Sequence, residues 1–84
     1  MAKLELVYFA WVRERIGRAR ESIETQAATP LQLIEELSAR DERYGAALSD
    51  VSALRVAIDQ ELADFDTKLT GAREVAFFPP MTGG

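Results

Sequence analysis

The sequence predicts an α+β domain in which a mixed β-sheet packs on one main helix. Three observations lead there. Leu4 to Ala10 (LELVYFA) and Glu74 to Phe78 (EVAFF) are rich in β-branched and aromatic residues and read as strands. Between them, Thr29-Pro30 opens a segment with a helix start signal and helically spaced apolar residues. Leu54 to Ile58 alternates and adds a strand in the second half. A chain of 84 residues has room for one domain.

In the first strand, Leu4, Leu6 and Tyr8 share one face, and its place in the order makes it an interior strand. Trp11 to Ile16 turns helical or irregular, and Gly17 is the first clear breaker. Arg20 to Thr25 reads as a half-exposed second strand, forming a hairpin with the first. Thr29 at the N-cap, Pro30 at N1 and Gln32 at N3 form a capping box. The helix they open is expected from Pro30 to about Arg40, with Leu31, Leu33, Ile34 and Leu37 as its apolar face and Glu35 and Glu36 opposite. Asp41 to Leu48 adds a shorter helical segment with Tyr44 and Leu48 one turn apart. After the third strand, Asp59-Gln60 is a turn and Glu61 to Ala63 a very short fourth strand. Asp64 to Thr70 is a loop with a single turn, Gly71 a breaker, and Glu74 to Phe78 the last strand. Pro79-Pro80 must end that strand, because proline has no N–H for the ladder.

The order β-β-α-(α)-β-β-β is that of the β-grasp, or ubiquitin-like, arrangement, although order by itself also fits other small α+β folds. Residues 1–78 form the domain and 79–84 an extended tail.

Composition narrows the function. The chain has no cysteine and no histidine, which excludes disulfides, thiolate or imidazole metal ligation, and Ser-His-Asp or Cys-His catalysis. A net charge of −4 argues against nucleic acid and favours docking on a basic protein surface. No apolar run reaches the roughly 18–20 residues that span a bilayer, so no membrane partner is expected. Without an apolar stretch that reads as a signal peptide, the expected location is cytoplasmic.

The chemistry lies in Pro79-Pro80-Met81-Thr82-Gly83-Gly84. The prolines impose an extended backbone, and six residues reach about 20 Å at ~3.3 Å each. Glycines at 83 and 84 can thread a channel that admits only backbone. On these grounds alone, a reactive end and an inert end are equally good readings.

The longer string Glu74-Val75-Ala76-Phe77-Phe78-Pro79-Pro80-Met81-Thr82-Gly83-Gly84 resembles the small subunits of molybdopterin synthase, the sulfur carriers of molybdenum-cofactor biosynthesis. Tyr8-Phe9-Ala10, Val12-Arg13-Glu14 and Gly17 resemble that family's opening strand and turn. Thr29, Leu33 and Leu37 fit its first helix, and Ala57-Ile58-Asp59-Gln60 its middle strand and turn. Ala72-Arg73, where an acidic residue is usual, and Met81, where a small β-branched one is usual, depart from the pattern.

The resemblance implies a non-catalytic sulfur-donor subunit. An ATP-dependent, E1-like adenylating enzyme would activate the Gly84 carboxylate, and a sulfur donor would convert it to a thiocarboxylate. That sulfur would pass to cyclic pyranopterin monophosphate, building the molybdopterin dithiolene. Most of the active site would lie on the large subunit, in a heterotetramer of two large and two small chains. This chain by itself would bind no cofactor, ATP being used by the activating partner.

Alternation puts Val75 and Phe77 on one face of the last strand and Ala76 and Phe78 on the other. Phe78 is therefore either a partner-facing aromatic at the tail root or a core residue. Leu62 faces the same choice, and the resemblance matches both to partner contacts. Arg13, in the run Arg13, Arg15, Arg18 and Arg20, is a candidate to pair with an acid on a partner; the run as a whole reads as a solvated turn. Asp64 and Asp66 lack calcium-loop spacing and read as turn formers. Glu35-Glu36 and Asp41-Glu42 read as solvated faces, and Trp11 fits core or surface. The alternatives are a carrier for thiamine, tRNA thiolation or cysteine synthesis, a ubiquitin-like modifier joined to lysines through Gly84, or a binding module with an inert tail.

Overall fold

A computed structural model describes residues 2–80. Its elements are β1 (Ala2–Tyr8), α1 (Ala10–Ile16), β2 (Arg20–Thr25), α2 (Pro30–Arg40), α3 (Glu42–Leu48), a 3₁₀ turn (Val51–Ala53), β3 (Arg55–Ile58), β4 (Glu61–Ala63) and β5 (Glu74–Phe78). The sheet order is β2-β1-β5-β3-β4. All pairs are antiparallel except β1 with β5, which run parallel at the centre of the sheet. This is the expected β-grasp, with β1 in the interior.

Local chemistry explains the elements. Ala10 has φ 54°, a left-handed conformation that turns the chain out of the strand, so β1 ends at Tyr8 and not at Ala10. The segment after it is a helix, closed by Gly17 at φ 93° with its N–H on the Arg13 carbonyl. Consequently β1 and β2 pair antiparallel, as expected, and the segment read as helical or irregular is the helical connection that joins them.

Helix α2 starts as predicted. The Thr29 hydroxyl accepts the Gln32 N–H at 3.2 Å, while the Gln32 side chain accepts the Ala28 N–H at 2.9 Å, one residue before its capping-box target. The loop after β4 serves the same helix end: Leu31 N–H donates to the Phe65 carbonyl at 3.0 Å. The apolar face needs one correction. Pro30, Leu33, Ile34 and Leu37 are buried, whereas Leu31 is 44% exposed. At about 100° per residue, Leu31 lies nearly a third of a turn off the stripe centred on Pro30 and Leu37. Asp41 then caps α3 by accepting the Arg43 N–H at 2.9 Å.

The core lies between the helices and one face of the sheet. Leu4, Leu6 and Tyr8 of β1 and Val75 and Phe77 of β5 meet Val12 and Ile16 of α1, Leu33 and Leu37 of α2 and Leu48 of α3. Trp11 is half-buried, packed against this core with the Arg15 guanidinium 4.9 Å above its ring.

Candidate functional site

The strand that leads into the tail is held on both sides, by β1 and by β3. Val75 and Phe77 are fully buried, and the Phe77 ring stacks on Tyr8 at 6.4 Å. Asp59 and Gln60 both have positive φ, the backbone of a type I′ hairpin turn between β3 and β4. From this turn the Asp59 carboxylate accepts the N–H groups of Arg73 and Glu74 at 2.9 and 3.0 Å, anchoring the start of β5. At the other end, Phe9 N–H donates to the Phe77 carbonyl at 3.3 Å. Phe78-Pro79-Pro80 therefore leaves from a fixed point, flanked by Phe9 on one side and Arg55 on the other.

The outer face of the sheet carries an apolar band at this point. The register aligns Val7 with Ala76, Ala76 with Ala57 and Ala57 with Leu62, a row across β1, β5, β3 and β4. Above the row, half-buried Phe78 meets Phe9 edge-on at 6.4 Å. Leu62 is 72% exposed and Phe9 50%. On the β2 side the band ends in a polar rim, where Arg20 donates to Glu5 at 2.8 Å and Ser22 donates to it at 2.8 Å. Those hydrogen bonds, led by that from Arg20, hold the Glu5 carboxyl below its usual range.

On the helix side, Glu21 forms a polar clasp. Its Oε2 accepts the Tyr8 hydroxyl at 2.7 Å and the Tyr44 hydroxyl at 2.6 Å, joining β1, β2 and α3. Burial, then the bond to Glu21, pushes both phenols up, that of Tyr44 to about 12. Thr25 makes a second link, donating to Glu36 at 2.7 Å. Glu36 is thus a half-buried acceptor that also meets Arg40 at 2.9 Å, a correction to the solvated face expected for it.

Of the expected site residues, Phe78 and Leu62 lie on the same outer face, two strands apart and about 12 Å from each other at ordinary strand spacing. Pro79 and Pro80 are half-buried where the chain leaves the sheet. Arg13 is exposed on α1, one helical turn beyond Phe9. Met81, Thr82, Gly83 and Gly84 lie outside the described residues. The basic run around Arg13 is dispersed: Arg18 pairs with Glu21, Arg20 with Glu5, and Arg15 sits over Trp11. Sequence reasoning missed Phe9, Val7 and Ala57 as members of the band. Alternation in β1 held the signal for two of them, since inward Leu6 and Tyr8 leave Val7 and Phe9 facing outward. Among the described residues, no three His, Cys, Asp or Glu side chains are grouped to hold a metal ion, and no helix is long and apolar enough to cross a membrane.

A model of the ThiS family matches residues 6–84. The molybdopterin synthase sulfur carrier subunit of Escherichia coli (strain K12) is 38% identical over 81 residues, which cover 96% of this chain and 99% of that protein. The crystal structure of SAMP1 from Haloferax volcanii superposes with a TM-score of 0.72 at 22% identity, covering 99% of this chain and all of that one. A complex of subunits 1 and 2 of the molybdopterin-converting factor from Helicobacter pylori 26695 contains a chain that matches with a TM-score of 0.62 at 20% identity, covering 99% of this chain and 100% of that chain. At those identities the two structures establish the shared fold.

Proposed function

This chain belongs to the ThiS family, and from that premise we propose that it is the sulfur-carrier subunit of a molybdopterin synthase. One observation carries the reading: a curated relative of that name matches over almost the full length of both chains. The placement of β5 supports it, because a fixed strand beside an uncovered apolar face leads into a tail of two prolines and two glycines.

The reacting group is the α-carboxyl of Gly84. With a reference pKa near 3.5 it is an anion at neutral pH and a poor electrophile. An adenylating partner must therefore join it to the α-phosphate of ATP, with release of pyrophosphate. A sulfide sulfur then displaces AMP and leaves the thiocarboxylate; a persulfide sulfur does so through an acyl disulfide that a thiol afterwards cleaves. The thiocarboxylate sulfur attacks a carbon of the pterin precursor in the large subunit's pocket and displaces an oxygen substituent; water then cleaves the resulting thioester, leaving the sulfur on the pterin and returning the Gly84 carboxylate. Two sulfurs per dithiolene require two deliveries. The chain contributes a movable nucleophile and a docking face, namely Phe78, Leu62 and their neighbours, with Arg13 at the margin. It has no cysteine to capture the activated terminus. The working location of such a carrier is the cytoplasm, where its activating enzyme, sulfur donor and large subunit would be met.

The test is an intact mass with C-terminal fragmentation after incubation with the cognate adenylating enzyme, ATP and a sulfur donor. Fragmentation is needed because oxidation of Met1 or Met81 adds nearly the same mass as exchanging one oxygen for sulfur. Sulfur localised at Gly84, and its loss on adding the large subunit and precursor, is the expected result. An unchanged terminus beside a demonstrably active partner overturns the proposal. A ladder of lysine conjugates in its place points to the modifier reading. Deleting Gly84, or adding a residue after it, should abolish sulfur delivery without changing the melting temperature.

A further inference from the structure

Arg55 is an anomaly on the docking face. In the β3–β5 register it lies directly opposite Phe78, so their side chains are neighbours on the outer face, with Cβ atoms about 5 Å apart. It is exposed and also lines the groove that runs past Leu62 to the loop at Asp64. Among the described residues, Arg18, Arg20, Arg40 and Arg43 each have an acid within ion-pair distance; Arg13, Arg15, Arg55 and Arg73 form no such pair, and of these Arg55 is the one placed opposite Phe78. An unpaired cation thus stands beside the tail root, at the edge of a band that is otherwise apolar.

We infer that Arg55 meets a carboxylate on the partner that receives the tail, and that this pair helps to set the register of docking. The inference rests on the sulfur-carrier reading above. When an apolar band is covered, a guanidinium at its edge loses water, and a carboxylate on the partner is the acceptor that offsets most of that loss, whereas an uncompensated charge is costly. A neighbouring acid sharpens the argument. Asp64 lines the same groove beyond Arg55. A partner carboxylate displaced by one strand, about 4.8 Å, would leave Arg55 and approach that like charge. Attraction at one position and repulsion at the next favours a single alignment, the one that brings the tail root to its channel. The aliphatic stem of Arg55 can meanwhile pack on Phe78.

The experiment measures the affinity of the intact carrier for its purified cognate large subunit by titration calorimetry, at low and at high salt. Arg55→Met keeps the stem and removes the charge. Arg40→Met removes the same charge at the end of α2, where Arg40 contacts Glu36 and Glu24. The expected result is a loss of about tenfold or more for Arg55→Met at low salt, with a flatter salt dependence and an unchanged melting temperature. Arg55→Lys should recover part of the loss, and Arg40→Met should bind like the parent chain. Parent-like or tighter binding by Arg55→Met overturns the inference and leaves the carrier reading standing. Failure of the parent chain to bind the large subunit at all overturns the carrier's proposed partner, and the inference with it.

Discussion

Replacing Glu21 should destabilise this domain more than any other surface-reaching carboxylate. Its Oε2 serves two phenols, Tyr8 at 2.7 Å and Tyr44 at 2.6 Å. Tyr8 is 1% exposed, so in Glu21→Ala its hydroxyl is left without acceptor or water, a loss of about 1–3 kcal/mol. Tyr44 is half-buried and its hydroxyl regains water, so its bond is worth about 0.5–1.5 kcal/mol net. The expected total is about 2–4 kcal/mol, or a melting-temperature drop of about 8–30 °C for a domain of this size. Glu21→Gln keeps a carbonyl acceptor for both phenols and should lose about 1 kcal/mol, the charge-assisted part. Urea denaturation checks this, with the midpoint moving at constant slope. Glu24→Ala, on the exposed side of the same strand, is the control and should stay within about 0.5 kcal/mol. Adding Tyr8→Phe to Glu21→Ala should restore part of the loss, because the stranded donor disappears. A Glu21→Ala loss below about 1 kcal/mol, or a Gln variant as unstable as the Ala variant, would refute the clasp as a stabilising unit.

Four further outcomes follow from contacts elsewhere in the domain as well as from the clasp. The chain has two tyrosines, both bonded to Glu21 and both raised, so phenolate absorbance should not develop near pH 10 in the folded protein but from about pH 12 upward. Because the unfolded chain releases those protons first, stability is whole below about pH 10 and declines as pH rises through 12; a phenol titrating near 10 in the folded state contradicts this. Thr29→Ala should lose about 1 kcal/mol in urea unfolding, since it removes an N-cap acceptor at 3.2 Å, and Thr29→Asn should retain most of it. Leu62→Ala should leave stability within about 0.5 kcal/mol while weakening large-subunit binding, because Leu62 is 72% exposed. Phe78→Ala should weaken binding more than stability, whereas Phe77→Ala should cost about 3–5 kcal/mol of folding energy, which thermal unfolding separates.

Much of the domain was legible because its signals are short-range. Thr29, Pro30 and Gln32 lie within one helical turn, so the start of α2 can be read without knowing what the helix packs on. Gly17 and Gly71 take positive φ, as breakers often do. In β5, period-2 alternation separates inward Val75 and Phe77 from outward Phe78 regardless of partner strands. The terminal string from Glu74 to Gly84 likewise carries its own resemblance, because its residues are contiguous and need no tertiary partner to be read.

Other features depend on residues distant in sequence, and local pattern holds no record of them. The exposure of Leu31 follows from which side of α2 meets the sheet; leucine at that spacing would suit either side. The clasp joins positions 8, 21 and 44, and nothing near Glu21 marks it as different from Glu24. The outer apolar row is the clearest case. Val7, Ala57, Leu62 and Ala76 become one row only because β1 lies parallel to β5 and β3 antiparallel to it in a particular register. A slip of one residue in any of those pairings would turn one strand's side chains to the opposite face. The sequence by itself determined most of the elements, the family resemblance and the end proposed to react; cross-strand register, which is a tertiary property, decided which side chains surround the root of the tail.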